Sequence, residues 1–278
     1  TYNNVAYTAL YKLTGEDLKA KLPEGSRAAC IAGELPENVE LSIQAAVLSP
    51  GVPTDIPLVN RMRDRGVQIL GEIELGFLAE QGRVIAITGT NGKTTTTTLT
   101  GEIMKAHFGK DKTFVVGNIG NPYTLEADKT SKDSVTVGEI SSFQLETIHT
   151  FHPVVSAILN ITPDHLNRHH TMEAYVAAKE AVASQQTKAD ICVLNYDNDY
   201  TRDFAGRCPA TPVLFSSHHE LENGYFLRGD KIIKSVNGEE HELMDIHKDM
   251  NLVGLCNVEN VMAAIAIAEG MQVPMETI

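Results

Sequence analysis

The stretch Arg83-Val-Ile-Ala-Ile-Thr-Gly-Thr-Asn-Gly-Lys-Thr-Thr95 constrains the fold more than any other part of the chain. The unbroken apolar run from Val84 to Ile87 fits a strand buried on both faces, and such strands belong to parallel sheets covered by helices. The run ends in a glycine-containing turn, followed at once by a lysine and then hydroxyls. Gly89 and Gly92 allow the backbone of Thr90 and Asn91 to turn its N–H groups toward one point, where a following helix presents unpaired amides. Lys93 supplies a point charge, and Thr94 stands where a hydroxyl can ligate the magnesium that bridges phosphates, with Thr95 beside it. Against the GxxxxGK[ST] template, Ile87 occupies the place of the first glycine. The plain alternative is a strand-to-helix turn with a threonine as N-cap. A cap uses one threonine, however, and the run Thr94–Thr98 is poor in helix propensity. Phosphate binding is the favoured reading.

Around this core, short apolar runs alternate with helical patterns. Ala28–Ala32, Ala45–Leu48, Val67–Leu70, Val84–Thr88, Thr113–Val116, Ser134–Glu139, Val154–Asn160 and Ile191–Asn195 read as strands, and Pro57–Arg65 as a helix with proline at its start. That alternation predicts an α/β fold with a mostly parallel sheet. Gln81-Gly82 breaks the pattern before the strongest strand, so a domain boundary is placed between residues 82 and 83. From Leu214 to His247 the dipeptides Asn223-Gly224, Gly229-Asp230 and Asn237-Gly238 signal hairpins, predicting a small antiparallel appendage. Asn257–Gly270 is apolar nearly throughout and reads as a buried helix ending in glycine.

Composition excludes several classes. Lys+Arg 23 against Asp+Glu 36 gives a net charge of −13, a field that repels nucleic acid. No apolar run approaches the length of a membrane span, and Thr1 to Leu10 lacks the features of a secretion signal, so a cytoplasmic protein is expected. The four cysteines, Cys30, Cys192, Cys208 and Cys256, lie far apart with no CxxC and read as reduced thiols. No His/Cys spacing predicts a zinc cluster.

Several other residues carry two readings on sequence alone. Glu139 ends a strand, where open α/β sheets bind ligands, and is either a magnesium-binding carboxylate or a polar strand end. His165 fits a loop hydrogen bond, since magnesium prefers oxygen. His149, His152, His169 and His170 are expected in surface loops. Lys179, on a helix capped by Thr171, reads locally as a solvent-facing lysine. Gly51, Gly117 and Gly120 either bring backbone close to a ligand or serve turns. Asn257 and Asn260 fit an N-cap and a first-turn polar residue, or a ligand contact.

Taken together, these motifs resemble the Mur ligases, ATP-dependent amide-forming enzymes whose phosphate loop reads TGTNGKTT, here Thr88 to Thr95. Glu139-Ile-Ser-Ser-Phe-Gln-Leu-Glu146 is similar to the family's signature for adding D-glutamate to UDP-N-acetylmuramoyl-L-alanine. Asn160-Ile-Thr-Pro-Asp-His-Leu-Asn167 with Lys179 resembles its second-metal region, Asn257-Val-Glu-Asn260 its nucleotide-side NxxN, and Ser49-Pro50-Gly51 and Gly71–Leu75 its first domain. The resemblance implies a partial Rossmann-like UDP-substrate domain over 1–82, then a central P-loop-type ATPase domain over 83–278.

It further implies ATP and two Mg2+ ions as cofactors, an acyl-phosphate route to the amide in peptidoglycan synthesis, and a monomer. ATP would lie on Gly89 to Thr95 with Asn257 and Asn260. The metals would be held by Thr94, Glu139, His165 and a carbamylated Lys179, and the muramoyl-alanine end by Gly51, Asn118, Ser141 and His165. Three departures accompany it. A Gly-rich start that cradles uridine diphosphate should precede residue 1, a third domain should follow Ile278, and Cys256 stands where the family has histidine. An isolated fragment is therefore expected to be inactive. A sibling ligase, a folylpolyglutamate-type ligase or a nucleotide-binding module without turnover are the alternatives.

Overall fold

The computed structural model describes residues 24–251 and 254–278, with 16, 19, 20 and 22. Thr1 to Leu10 lies outside the described residues. Two compact units emerge, Thr1–Glu72 and Ile73–Ile278. The 82/83 division read from sequence falls inside the second unit, because Ile73 and Phe77 join its apolar core.

In the first unit, β1 (Ala45–Leu48) pairs in parallel with β2 (Gln68–Gly71), and the short helix α1 (Glu37–Glu40) precedes them. The helix α2 (Pro57–Asp64) connects the strands, with Pro57 in its first turn and Arg65 at its C-cap. Val59 and Met62 on α2 meet Val67 and Ile69, a crossover unit with its own small core. Ala28–Ala32 forms no strand. Its alanines are exposed, and no described strand pairs with it; the Ala28 amide donates instead to Ser26 Oγ at 3.2 Å.

The second unit opens with α3 (Glu72–Ala79, its first residue shared with the boundary) and is built on one nine-stranded sheet. Its strands are β3 (Arg83–Thr88), β4 (Thr113–Gly117), β5 (Val135–Glu139), β6 (Val155–Ile158), β7 (Ile191–Asn195), β8 (Thr211–Ser216), β9 (Gly224–Arg228), β10 (Lys231–Val236) and β11 (Glu239–Asp245). The order is β11-β10-β9-β8-β7-β6-β3-β5-β4, parallel from β4 to β9 and antiparallel beyond. The antiparallel strands thus continue the main sheet.

Side-chain alternation along β3 explains why both faces are covered. Ile85 and Ile87 point to one core, shared with α4 (Lys93–Phe108) and α10 (Leu255–Gly270); Val84 and Ala86 point to the other. That second face is closed by α3, α5 (Tyr123–Glu126), α8 (Met172–Glu180) and α9 (Asp199–Ala205). Two further short helices lie in this unit, α6 (Ser142–Leu145) and α7 (Leu166–His169).

The two-residue turns Gly229-Asp230 and Asn237-Gly238 join antiparallel neighbours, the latter with φ of 52° and 81°. Asn223-Gly224 differs. Gly224 enters β9, which runs parallel to β8, and a Cβ there would lie 2.3 Å from the Leu214 carbonyl oxygen. Close backbone approach, and no hairpin, requires that glycine. Among the described residues no helix is long and apolar enough to cross a membrane.

Candidate functional site

Everything in the site hangs on the end of β3. There the chain leaves the sheet through Gly89 and enters α4 at Gly92, whose φ of 84° is left-handed. A Cβ on Gly92 would lie 2.2 Å from Asn260 Oδ1, so glycine is required twice over. Gly92 has no side chain with which to cap α4, and no threonine caps it. The first-turn amides keep their capacity to bind an anion at the positive end of the helix.

The loop is pinned by the segment that follows β6, the neighbour of β3. Thr90 N donates to Asn160 O at 2.9 Å, Asn91 N to Asn160 Oδ1 at 2.8 Å, and Asn160 Nδ2 to Asn91 O at 3.1 Å. Thr90 Oγ1 accepts from Thr162 N and shares a hydrogen bond with the Tyr175 hydroxyl at 3.1 Å. These bonds tie the loop to the neighbouring strand's exit at several points.

Two lysines converge behind the loop. Lys93 Nζ donates to the carbonyls of Gly89 and Thr90, both at 2.9 Å, and Lys179 Nζ donates to that same Gly89 oxygen at 2.8 Å. Lys179 is 2% exposed, which overturns its local reading as a solvent-facing residue. Its helix α8 does start at Thr171, whose side chain accepts from Ala174 N, and one turn before Lys179 the Tyr175 ring lies 4.7 Å from the ammonium. Burial, helped by the charge of Lys93 and opposed by Asp164, lowers the pKa of Lys179 to about 7. Burial lowers that of Lys93 as well, opposed by Glu139 and Asp164.

Glu139 ends β5 and is 2% exposed. Its Oε1 accepts from Asn118 Nδ2 at 2.7 Å, and its backbone oxygen accepts from Asn118 N at 2.8 Å. Gly117 (φ 95°) permits this grip, since a Cβ would lie 2.3 Å from the Glu139 carbonyl oxygen. Glu139 Oε2 is buried with no hydrogen-bond partner among the described residues. A carboxylate oxygen so placed suits a divalent cation, which prefers oxygen ligands.

His165 has φ of 53° at the start of α7; its N–H donates to Asp164 Oδ1 at 2.8 Å, and its ring faces Phe143 at 4.9 Å. His169 is 7% exposed and bonded to Ser142 Oγ at 2.9 Å, against its expected place in a surface loop. Its ring is held between Phe143 and Tyr175, packing that single-sequence spacing does not reveal. Ser141 caps α6 in a capping box with Gln144. Asn260 is buried, accepts from Thr96 Oγ1 and donates to Asn257 Oδ1, and the N-cap of α10 is Gly254, so Asn257 is not the cap. Thr94 and Thr95 sit in the first turn of α4.

The structure therefore gathers Gly89 to Thr95, Lys179 and Asn260 around one loop, with Glu139 on the strand two places from β6 and next to β3. Gly51 lies exposed in the first unit. The sequence does not single out Tyr175, nor the pinning role of Asn160; the i,i+4 spacing of Tyr175 and Lys179 is the available signal for the first. Cys192 and Cys208 are buried, Cys256 exposed, and all are free. Away from the loop, Asp197, His218 and Glu259 bring potential ligand atoms within 4.8 Å of one another, but the Asp197 carboxylate already accepts from Ser216, Ser217 and His219.

Comparison with known proteins matches residues 87–268 to the Mur ligase middle domain. A UDP-N-acetylmuramoylalanine--D-glutamate ligase of Lachnoclostridium phytofermentans is 50% identical over 99% of the chain, and one of Lachnospira eligens likewise. The chain spans 60% of the length of these two relatives. Among solved structures, a UDP-N-acetylmuramoyl-L-alanyl-D-glutamate--2,6-diaminopimelate ligase aligns with a TM-score of 0.59 at 20% identity, over 86% of this chain and 60% of that one. A UDP-N-acetylmuramate-alanine ligase from Thermotoga maritima aligns with a TM-score of 0.54 at 21% identity, over 84% and 53%. These likenesses show the fold.

Proposed function

This chain belongs to the Mur ligase family, and from that premise we propose that the intact protein uses ATP to join D-glutamate to UDP-N-acetylmuramoyl-L-alanine in peptidoglycan synthesis. A carboxylate does not acylate an amine unaided. Transfer of the ATP γ-phosphoryl group to the alanyl carboxylate gives an acyl phosphate and ADP; the amine of D-glutamate then attacks the acyl carbon, phosphate leaves, and the amine loses a proton. The relatives' names support the choice of substrates.

In this reading the first-turn amides of α4 and Lys93 hold the phosphates, and Asn260 with Asn257 lines the nucleotide side. Lys93 must swing away from the Gly89 and Thr90 carbonyls to reach phosphate, a small change for a long side chain. Asn118, Ser141 and Gly51 are assigned to the muramoyl substrate. Thr94, Glu139, His165 and Lys179 would hold two Mg2+ ions, which, when bound, neutralise charge on the transferring phosphoryl group. For Lys179 this requires conversion to a carbamate: the neutral amine forms an N–C bond to CO2 and releases a proton. A pKa of about 7 supports it, because a large share of the side chain is then unprotonated near neutral pH. The chain by itself is assigned nucleotide binding without turnover, and the protein a cytoplasmic, monomeric state.

The observation that carries the proposal is Glu139 Oε2, buried without a hydrogen-bond partner among the described residues, on the strand next to β3, which leads into the uncapped start of α4. The test is phosphate release by the intact protein. It should require ATP, UDP-N-acetylmuramoyl-L-alanine and D-glutamate together, and Lys93→Ala should abolish it while leaving the circular dichroism spectrum unchanged. Release that is indifferent to D-glutamate would overturn the substrate assignment.

A further inference from the structure

The segment from Glu139 to Glu146 does more than end in a helical turn. Its Glu146 carboxylate receives Arg168 through two nitrogens, Nη2 to Oε2 at 2.7 Å and Nε to Oε1 at 3.3 Å, with both side chains largely buried. The same guanidinium lies 5.0 Å from the centre of the Phe143 ring, whose neighbours also include the His165 and His169 rings, at 4.9 and 5.5 Å. Ser142 Oγ and His169 Nε2 add a hydrogen bond at 2.9 Å. An ion pair, a set of ring contacts and a hydrogen bond thus join α6 to α7, and α7 begins at His165.

His165 needs such support. Its φ of 53° is costly for a residue with a Cβ, and a strained residue persists only where its surroundings over-determine it. Exposed on one side, its imidazole is fixed on the other by Phe143. Glu139 and Phe143 lie on one short stretch of chain, so whatever fixes Phe143 against His165 also fixes the spacing between Glu139 and His165.

We propose that Glu146 and Arg168 are positioning residues that hold His165 at the distance from Glu139 at which both serve the metal-nucleotide site. The inference rests on the metal assignment made above and deepens it. A forked, planar guanidinium suits this role, since it clamps a carboxylate at two points while its face covers an aromatic ring, which an ammonium cannot do. Residues that orient metal ligands without touching the metal typically matter about 10–100-fold in metal affinity.

The test uses the intact protein with Mn2+ and the non-hydrolysable ATP analogue adenylyl imidodiphosphate, reading bound Mn2+ by electron paramagnetic resonance. Arg168→Met should weaken Mn2+ retention about tenfold or more, while affinity for the metal-free analogue stays unchanged. Arg168→Lys should recover little, and the exchange Glu146→Arg with Arg168→Glu should recover part. Thermal melts identify any variant that fails to fold; Arg168→Lys, which keeps the charge, then provides the comparison. If Arg168→Met and Arg168→Lys both fold and retain Mn2+ as the parent does, the clamp is wrong. If the parent itself retains no Mn2+ beyond what the nucleotide alone holds, the metal assignment fails first and the clamp's role with it.

Discussion

Lys93 and Lys179 donate to one carbonyl oxygen, that of Gly89, at 2.9 and 2.8 Å, although they come from different helices. A single acceptor cannot neutralise two ammonium groups, and each raises the cost of protonating the other. The loop after β3 is therefore backed by two amino groups whose mutual repulsion an anion, or loss of a proton from Lys179, would relieve.

Lys179 should make stability depend on pH. Its pKa is about 7 when folded and near 10.5 when unfolded, so the unfolded chain binds more protons between these values. Stability is highest above the unfolded value, falls as pH drops from about 10 to 7, by up to about 1.4 kcal/mol per unit, and is flat below. Lys179→Met should remove most of that slope and be more stable than the parent at pH 7. Urea melts of both proteins at pH 7, 8 and 9, in buffers freed of CO2, test it; parallel slopes would refute the assignment.

Glu74 is an anchor of the opposite kind. The carboxylate is 1% exposed and accepts from His149 N, Thr150 N, Thr150 Oγ1 and Phe151 N at 2.5 to 3.1 Å. Burial raises its pKa, but the four donors together outweigh burial and hold it below the usual value. Glu74→Gln turns an NH2 toward donors and should cost about 1–3 kcal/mol at pH 7. Because the folded pKa is depressed, the carboxylate's contribution is complete above about pH 4.5 and fades as pH falls through the folded value. The gap between parent and variant in denaturant melts should narrow in acid; a gap independent of pH would mean that shape alone matters there.

How much of this could be read from sequence varied with the range of the interaction. The β3 strand, the glycines that turn the chain after it and the Thr171 cap are local patterns, whereas the loop between those glycines is also held by Asn160 and Thr162, 69 and 72 residues later. Lys179 is different: Ala177-Ala-Lys-Glu-Ala181 has the texture of an exposed helix, and its burial comes from a carbonyl 90 residues earlier. His169 is drawn inward by Phe143, Tyr175 and Ser142, none of them adjacent in the chain. Asn-Gly occurs at 223–224 and 237–238, yet only the second is a hairpin, because at the first the Leu214 backbone crowds the glycine. A run such as Ala28–Ala32 has strand composition, yet among the described residues no strand pairs with it. Long-range partners decide these cases, and a single sequence does not display them.

Glu139→Ala in the intact protein should lose most turnover and raise the magnesium concentration needed for what remains, since water must replace a charged oxygen. Asn118 loses its side-chain acceptor in the same variant, so Asn118→Ala is the control: it should leave the magnesium requirement closer to the parent's. Phosphate release measured across a magnesium titration separates the two. An unchanged requirement in Glu139→Ala would return Glu139 to the role of a buried strand end.

Gly92→Ala tests the loop without altering any charge. The residue has φ of 84°, where a Cβ costs about 1–2 kcal/mol, and that Cβ would lie 2.2 Å from Asn260 Oδ1. Asn260 is buried and bonded to Thr96 and Asn257, so it cannot turn aside without breaking those bonds. The backbone must therefore shift, and with it the first-turn amides of α4. Stability should fall by about 1–3 kcal/mol, and ATP affinity by about tenfold or more, since a conformational cost of about 1.4 kcal/mol already corresponds to a factor of ten. Asn260→Gly in the same background removes the obstructing side chain; it should recover stability in part but not ATP affinity, because it also removes the amide proposed to line the nucleotide side. Calorimetric titration with ATP and urea melts on the single and double variants decide it, and a Gly92→Ala protein that binds ATP like the parent would show that the phosphate is held elsewhere.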